Sequence, residues 1–152
     1  MKIIIRPMKY SDLSQVMSIN IKSLPENYKR EHWDMWFHNG KKHSFVALLN
    51  GELCGYLLCD EKSIVSFAIS EKYRNNKIGS NLLSNCLSTL TENVELHCRE
   101  ENKDAIRLYE KFGFVICETE IGYYQNPPDN GILMKWKFIK MNNNTKKMNI
   151  KS

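Results

Sequence analysis

The chain of 152 residues lacks several things at once. It has only four prolines and seven glycines, no internal repeat and no linker-like stretch, so one globular domain with its own core is expected. Long apolar runs are missing. Ile3 to Ile5 and Phe45 to Leu49 fall far short of the roughly 20 residues a membrane span needs. MKIIIRP has neither a long apolar stretch nor a small-residue cleavage site, which speaks against a signal peptide. These absences lead us to expect a soluble, cytoplasmic protein with no membrane partner.

Cysteine pairing is absent too. Cys54, Cys59, Cys86, Cys98 and Cys117 form no CxxC pair and the four histidines have no ligand spacing, so neither a disulfide framework nor a metal site is expected. The thiols read as reduced and buried. Charge of one sign is scarce outside the end of the chain. Four of the five net positive charges are Lys140, Lys146, Lys147 and Lys151, in the acid-free segment KMNNNTKKMNIKS. Residues 141–152 are expected to be a disordered basic tail. No nucleic-acid-binding motif accompanies it, and no specific nucleic-acid partner is expected.

Periodicity is what the chain does have. KIIIRP reads as a strand stopped by Pro7, and SDLSQVMSINIKSL as a helix after an N-cap at Ser11. YKREHWDMWFHNG places Trp33, Trp36 and Phe37 on one helical face, with Gly40 in the usual C′ position. HSFVALLNGELCGYLLCDEKSIVSFAI holds three apolar runs, the first two joined by Asn50-Gly51, the preferred pair for a two-residue type I′ hairpin. From Gly79, Leu82, Leu83, Cys86, Leu87 and Leu90 follow a helical period to about Thr91. NVELHC is a strand. Asn102 suits the N-cap of a helix bearing Ala105, Leu108, Tyr109 and Phe112 and closed by Gly113. FVICET and ILMKWKFI are the last strands, with GYYQNPPDNG between them as a long loop. The order is β-α-α-β-β-β-α-β-α-β-β.

The loop EKYRNNKIGSNLL is rich in groups that suit a phosphate. Arg74 and Lys77 supply cations, Gly79 permits close backbone approach, and a helix N-terminus points N–H groups outward. The spacing matches neither the P-loop nor GxGxxG. A solvated basic turn is the bland alternative.

YRNNKIGSNLL and LHCREENKDAIRLYEKFGF resemble the two signature segments of the GNAT acyltransferases. The first of these is written R/Q-x-x-G-x-G/A. Arg74 takes its first place and Gly79 its last, while Lys77 stands where the middle glycine belongs. Asn102, Ala105, Tyr109 and KFGF match the second. The resemblance covers about residues 2 to 139 and implies a GNAT domain over residues 1–140. Its fold would be α/β (α+β), a mixed, mostly antiparallel seven-stranded sheet flanked by four helices.

That resemblance also implies acetyl-CoA as co-substrate and no metal. The pantetheine would pair with Phe67, Ala68 and Ile69, and the pyrophosphate would lie on Arg74, Asn75, Asn76, Lys77, Ile78, Gly79 and Ser80. The helix with Asn102, Ala105 and Tyr109 would flank the cofactor.

LPENY, LHCREENKDAIRLY and Tyr123-Tyr124 are similar to the protein N-terminal acetyltransferases of the NatA type, and KFGFVICETEIGYY to the NatE type, within a wider RimI-like group. This implies a protein or peptide N-terminus as acceptor, with an auxiliary subunit or the ribosome as further partners. Leu24, Pro25, Glu26 and Tyr28 would line one wall of the groove and Tyr123 and Tyr124 the other, with Val65 also at the substrate. Glu26 and His97 are both candidate bases by matching position, and Tyr109 is the candidate acid. Where the NatE type uses a further tyrosine, this chain has Ser63.

An α-amine titrates near 8 against about 10.4 for lysine, so only a modest base is needed. Imidazole suits the task. Each residue also has a bland reading: His97 as a satisfied strand histidine, Tyr109 as core, the tyrosine pair as a loop anchor, Glu26 as a helix cap. Acetylation of lysine, a polyamine or another small amine, and a non-catalytic acyl-CoA-binding module, are the rival functions.

Overall fold

The computed structural model describes residues 2–74 and 76–140. Asn75 and the expected tail, 141–152, lie outside them. The chain divides after Thr89 into two compact units.

The first unit contains β1 (Ile3–Pro7), α1 (Leu13–Ser23), α2 (Arg30–Gly40), β2 (Phe45–Leu49), β3 (Glu52–Cys59), β4 (Ile64–Ile69) and α3 (Ile78–Thr89). The strands form an antiparallel sheet in the order β1-β2-β3-β4. β3 is buried along nearly its whole length because helices cover both faces of the sheet. On one face, Leu13, Val16 and Ile19 of α1 and Trp33 of α2 pack with Val46, Tyr56, Leu58 and Ala68. On the other, α3 buries Ile78, Leu82, Leu83 and Cys86, and Gly55 of β3 leaves room for the side chains of Ile69 and Leu82.

The hairpin forms as its sequence requires. Asn50 and Gly51 take φ of 51° and 81°, and Leu49 pairs with Glu52. Two helix ends differ from expectation. The acid that organises the start of α1 is Asp12, not Ser11: its carboxylate accepts from the Lys9 backbone at 2.7 Å and takes two bonds from the Arg6 guanidinium. Burial pushes the Asp12 pKa upward, but the Arg6 and Lys9 hydrogen bonds outweigh it and hold the group below its ordinary value. Gly40 is the last residue of α2 and has a negative φ. It is glycine because a Cβ there would sit 2.0 Å from the Cys59 carbonyl oxygen.

The second unit contains β5 (Val94–Arg99), α4 (Lys103–Lys111), β6 (Val115–Gln125) and β7 (Pro128–Trp136). Its sheet has the order β5-β7-β6, also antiparallel. All seven expected strands and four helices are thus present, hydrogen-bonded as a four-stranded and a three-stranded sheet. Asn102 caps α4, its Oδ1 accepting from the Ala105 N–H at 3.2 Å. At the other end, Gly113 (φ 98°) donates to Glu110 and Phe114 to Tyr109, the bond pair of a Schellman motif, with the Tyr109 and Phe114 rings 5.5 Å apart. KFGF is therefore a helix stop that also pins Tyr109.

The expected long loop GYYQNPPDNG is the largest correction to the element boundaries. β6 runs to Gln125 and β7 begins at Pro128, so Tyr123 and Tyr124 are strand residues. Between Glu120 and Tyr124 β6 departs from register, with Gly122 at φ 70° and its N–H donated to Asn130 Oδ1. That irregularity is a bulge, which re-aims side chains while keeping the pairing on either side. Four of the five cysteines are buried, and Cys117 is exposed. Burial alone pushes the Cys98 thiol up to about 11.

Candidate active site

In the first unit, β4 is the last strand of its sheet, and its register slips between Leu58 and Cys59. The surplus residue is Val65, half-buried against the α1/α2 core, so the expected substrate-side residue is the bulged one. Ala68 is buried, while Phe67 and Ile69 are half-buried. Arg74 Nε donates to the Ile69 carbonyl at 3.1 Å, which links the end of β4 to the basic loop directly.

Asn76 is exposed and its side chain donates to Tyr73 O. Lys77 has φ 62°, in the left-handed region that favours glycine. This explains the motif position: the backbone bend that a glycine would make is retained with a lysine in it. α3 begins immediately afterwards with buried Ile78, followed by half-buried Gly79 and Ser80. The first turn of α3 directs backbone N–H groups outward and follows cations at 74 and 77 in the chain, a combination suited to a diphosphate.

The segment LPENY joins α1 to α2 and is held from inside. Leu24 packs against the core and its N–H bonds Asn20 O. Asn20, 1% exposed, donates from Nδ2 to Glu26 O at 3.0 Å and accepts from Asn27 Nδ2 at 2.9 Å. Buried Trp33 donates from Nε1 to Tyr28 O. The Tyr28 ring meets Trp36 edge-on at 4.9 Å. Pro25 is exposed and Glu26 half-buried.

In the second unit, alternation along β5 buries Val94, Leu96 and Cys98 and leaves Glu95, His97 and Arg99 on the other face. His97 is partly exposed, with Nε2 3.0 Å from Glu120 Oε1. Its ring lies on the Tyr123 ring at 4.4 Å, the planes 3° apart. Tyr124 meets Tyr123 edge-on, and the Arg99 guanidinium covers Tyr124 at 4.4 Å while donating to Pro127 O. Burial raises the Tyr123 pKa, and Glu120 and Glu95 add to that rise. Tyr109 is 7% exposed, three residues before Phe112, the C-cap of α4.

The structure thus brings together Leu24 to Tyr28 in one loop, Ile69 with Arg74, Asn102 with Ala105, and His97 with Tyr123 and Tyr124. Glu26 lies in the first unit and His97 in the second. Sequence reasoning missed Glu120, Arg99, Gly131 and Asn20. Asn20 alone had a readable signal, since Leu13, Val16 and Asn20 fall on one helical face. Among the described residues no group of His, Cys, Asp or Glu is arranged to hold a metal ion, and no helix is long and apolar enough to cross a membrane.

Comparison with known proteins bears on the family and the fold. A sequence-family model described as Acetyltransferase (GNAT) family matches residues 13–114. An N-alpha-acetyltransferase of Sulfolobus acidocaldarius is 32% identical over 82% of this chain and 87% of its own length. Human N-alpha-acetyltransferase 30 is 29% identical over 87% of this chain, which spans 41% of the human protein. Among solved structures, Arabidopsis thaliana Naa50 in complex with the bisubstrate analogue CoA-Ac-MVNAL superposes with a TM-score of 0.81 and 27% identity, over 90% of this chain and 99% of that one.

Proposed function

Because the chain belongs to the acetyltransferase (GNAT) family, we propose that it moves the acetyl group of acetyl-CoA to the α-amine of protein or peptide N-termini. Residues 1–140 act as one catalytic domain in this reading, since the family match runs across both units. The observation that carries the acceptor class is the His97, Tyr123 and Glu120 cluster. With Nε2–H donating to Glu120, the lone pair is on Nδ1, and a neutral imidazole is base enough for an amine that titrates near 8. The names of the relatives support the same acceptor.

The cofactor groups belong to the first unit. The pantetheine would run along β4 at Phe67, Ala68 and Ile69, and the diphosphate would meet Arg74, Lys77 and the first turn of α3. The amine nitrogen forms the bond to the thioester carbonyl carbon, and the carbon–sulfur bond breaks. His97, or Glu26 on the acceptor loop, takes the proton from the amine. The departing thiolate, of pKa about 8.5, takes one from Tyr109. Leu24, Pro25, Tyr28, Val65, Tyr123 and Tyr124 contact the peptide. An auxiliary subunit or the ribosome would bring the nascent chain, in the cytoplasm.

The test supplies acetyl-CoA with short peptides that differ in their first two residues, together with polyamines and with lysine peptides whose α-amine is blocked. Turnover of free α-amines is expected, and transfer only to lysine or polyamine overturns the reading. His97→Ala should lower kcat by about a hundredfold and Glu26→Ala by less, in line with the usual worth of a general base. Tyr109→Phe should slow transfer while leaving acetyl-CoA binding in place.

A further inference from the structure

Asn20 is an anomaly in α1. It sits 1% exposed on the helix face that otherwise buries Leu13, Val16 and Ile19. Asparagine is a poor helix former, and an amide in a core is costly unless its hydrogen bonds are made. Those bonds are made, and they go to the acceptor loop and to the sheet. Nδ2 donates to the Glu26 carbonyl at 3.0 Å, and Oδ1 accepts from Asn27 Nδ2, which also bonds the Leu24 carbonyl at 3.1 Å. The Asn20 side chain also acts on the Tyr56 hydroxyl, lowering its pKa, and that hydroxyl lies 2.7 Å from Ser66 Oγ on β4. A string of buried polar groups therefore runs from residues 24–27 through α1 and β3 to β4.

We propose that Asn20 is the positioning residue of the acceptor loop, fixing the backbone of residues 24–28 relative to β4 and thereby the place of the acceptor peptide against the thioester. A leucine at position 20 has as many side-chain heavy atoms, better helix propensity and no polar atoms to satisfy. What it would not do is hold the carbonyl of Glu26. The inference rests on the peptide-acceptor reading above. It adds a residue to that reading that touches neither substrate.

Two variants test it. Asn20→Leu keeps the number of side-chain heavy atoms, in a somewhat bulkier group, and removes every polar contact of the side chain. Asn27→Ala removes one strand of the clamp from an exposed position and leaves the core untouched. At a temperature where all proteins are folded, Asn20→Leu should raise the KM for peptide about tenfold, and Asn27→Ala should raise it less. The KM for acetyl-CoA should stay within about twofold, because misplacement of one reactant is felt by that reactant. Amide hydrogen exchange should rise at residues 24–28 and not along β1 or β2. Equal changes in both KM values, or a peptide KM like that of the wild type, overturn Asn20 as a positioning residue. If the wild type acetylates no α-amine, the acceptor reading fails instead. Exchange at 24–28 then decides separately whether Asn20 holds the loop.

Discussion

The imidazole of His97 lies parallel to the phenol of Tyr123, 4.4 Å between ring centres, while Nε2 meets Glu120 Oε1 at 3.0 Å. The stack fixes the plane of the ring and the carboxylate fixes its rotation. A ring so held points one nitrogen in one direction, which is what the role of base proposed for His97 calls for. The residue that permits the stack is one strand away. Gly131 of β7 pairs with Arg99 on one side and Glu120 on the other, and a Cβ built on it would lie 2.7 Å from Tyr123 Cγ and 2.8 Å from Tyr123 Cβ.

Gly131→Ala should therefore dislodge the Tyr123 ring from His97. The clash involves atoms next to the Tyr123 backbone, so a simple rotation of the ring does not relieve it. The cost to stability should be about 1 to 3 kcal/mol, as for other overpacked sites. Peptide turnover should fall more than acetyl-CoA binding does. The direct readout is the proton spectrum of His97: ring protons shifted upfield by the stacked phenol should move back toward their free positions. An unmoved His97 signal would reject the role given to Gly131.

This site shows where the sequence was legible and where it was not. The Asn50-Gly51 hairpin, the stripe of α3 and the N-cap at Asn102 depend on neighbours along the chain, and each could be read from local pattern. The basic turn was legible in its own cations and glycine, and the LPENY loop and His97 were found by resemblance. Glu120, Gly131 and Arg99 act on residues far away along the chain, through strand register and a bulge that shifts β6 by residues no local pattern counts. The proline and asparagine content of NPPDN suggested a long loop. Pro128 instead begins β7, and only Asn126 and Pro127 separate the two strands.

Lys77 gives a second prediction. A lysine at φ 62° pays a steric penalty between its Cβ and the backbone that glycine escapes. Lys77 and Asn76 are both exposed, so little packing offsets the strain. Lys77→Gly should stabilise the protein by about 1 kcal/mol, a rise in Tm of roughly 2 to 4 °C for a chain of this size. Lys77→Ala removes the same charge and keeps the Cβ, so it should show no such gain. Chemical denaturation of the three proteins checks this. Equal stability of the glycine and alanine variants would mean that the strain is absent.

The third prediction concerns pH and Tyr56, whose hydroxyl lies 2.7 Å from Ser66 Oγ in the core. Burial raises the Tyr56 pKa to about 12, against the lesser lowering effects of hydrogen bonds from Ser66 and Asn20. A folded-state pKa above the unfolded one means that the folded protein holds its proton more tightly. This contribution is complete below about pH 10, where unfolded tyrosine titrates, and is lost as pH rises from about 10 to about 12. Two units correspond to about 2 to 3 kcal/mol. Tyr56→Phe lacks the titrating group, though at neutral pH it forfeits about 1 kcal/mol of hydrogen bonding. Urea unfolding of both proteins from pH 8 to 11.5 should therefore show the wild type losing its advantage over the variant and then falling below it. Lysine and surface tyrosine titrate alike in the two proteins and cancel in the difference. A difference that stays constant across the window would show that the Tyr56 hydroxyl is not held in the folded core as its contacts with Ser66 and Asn20 require.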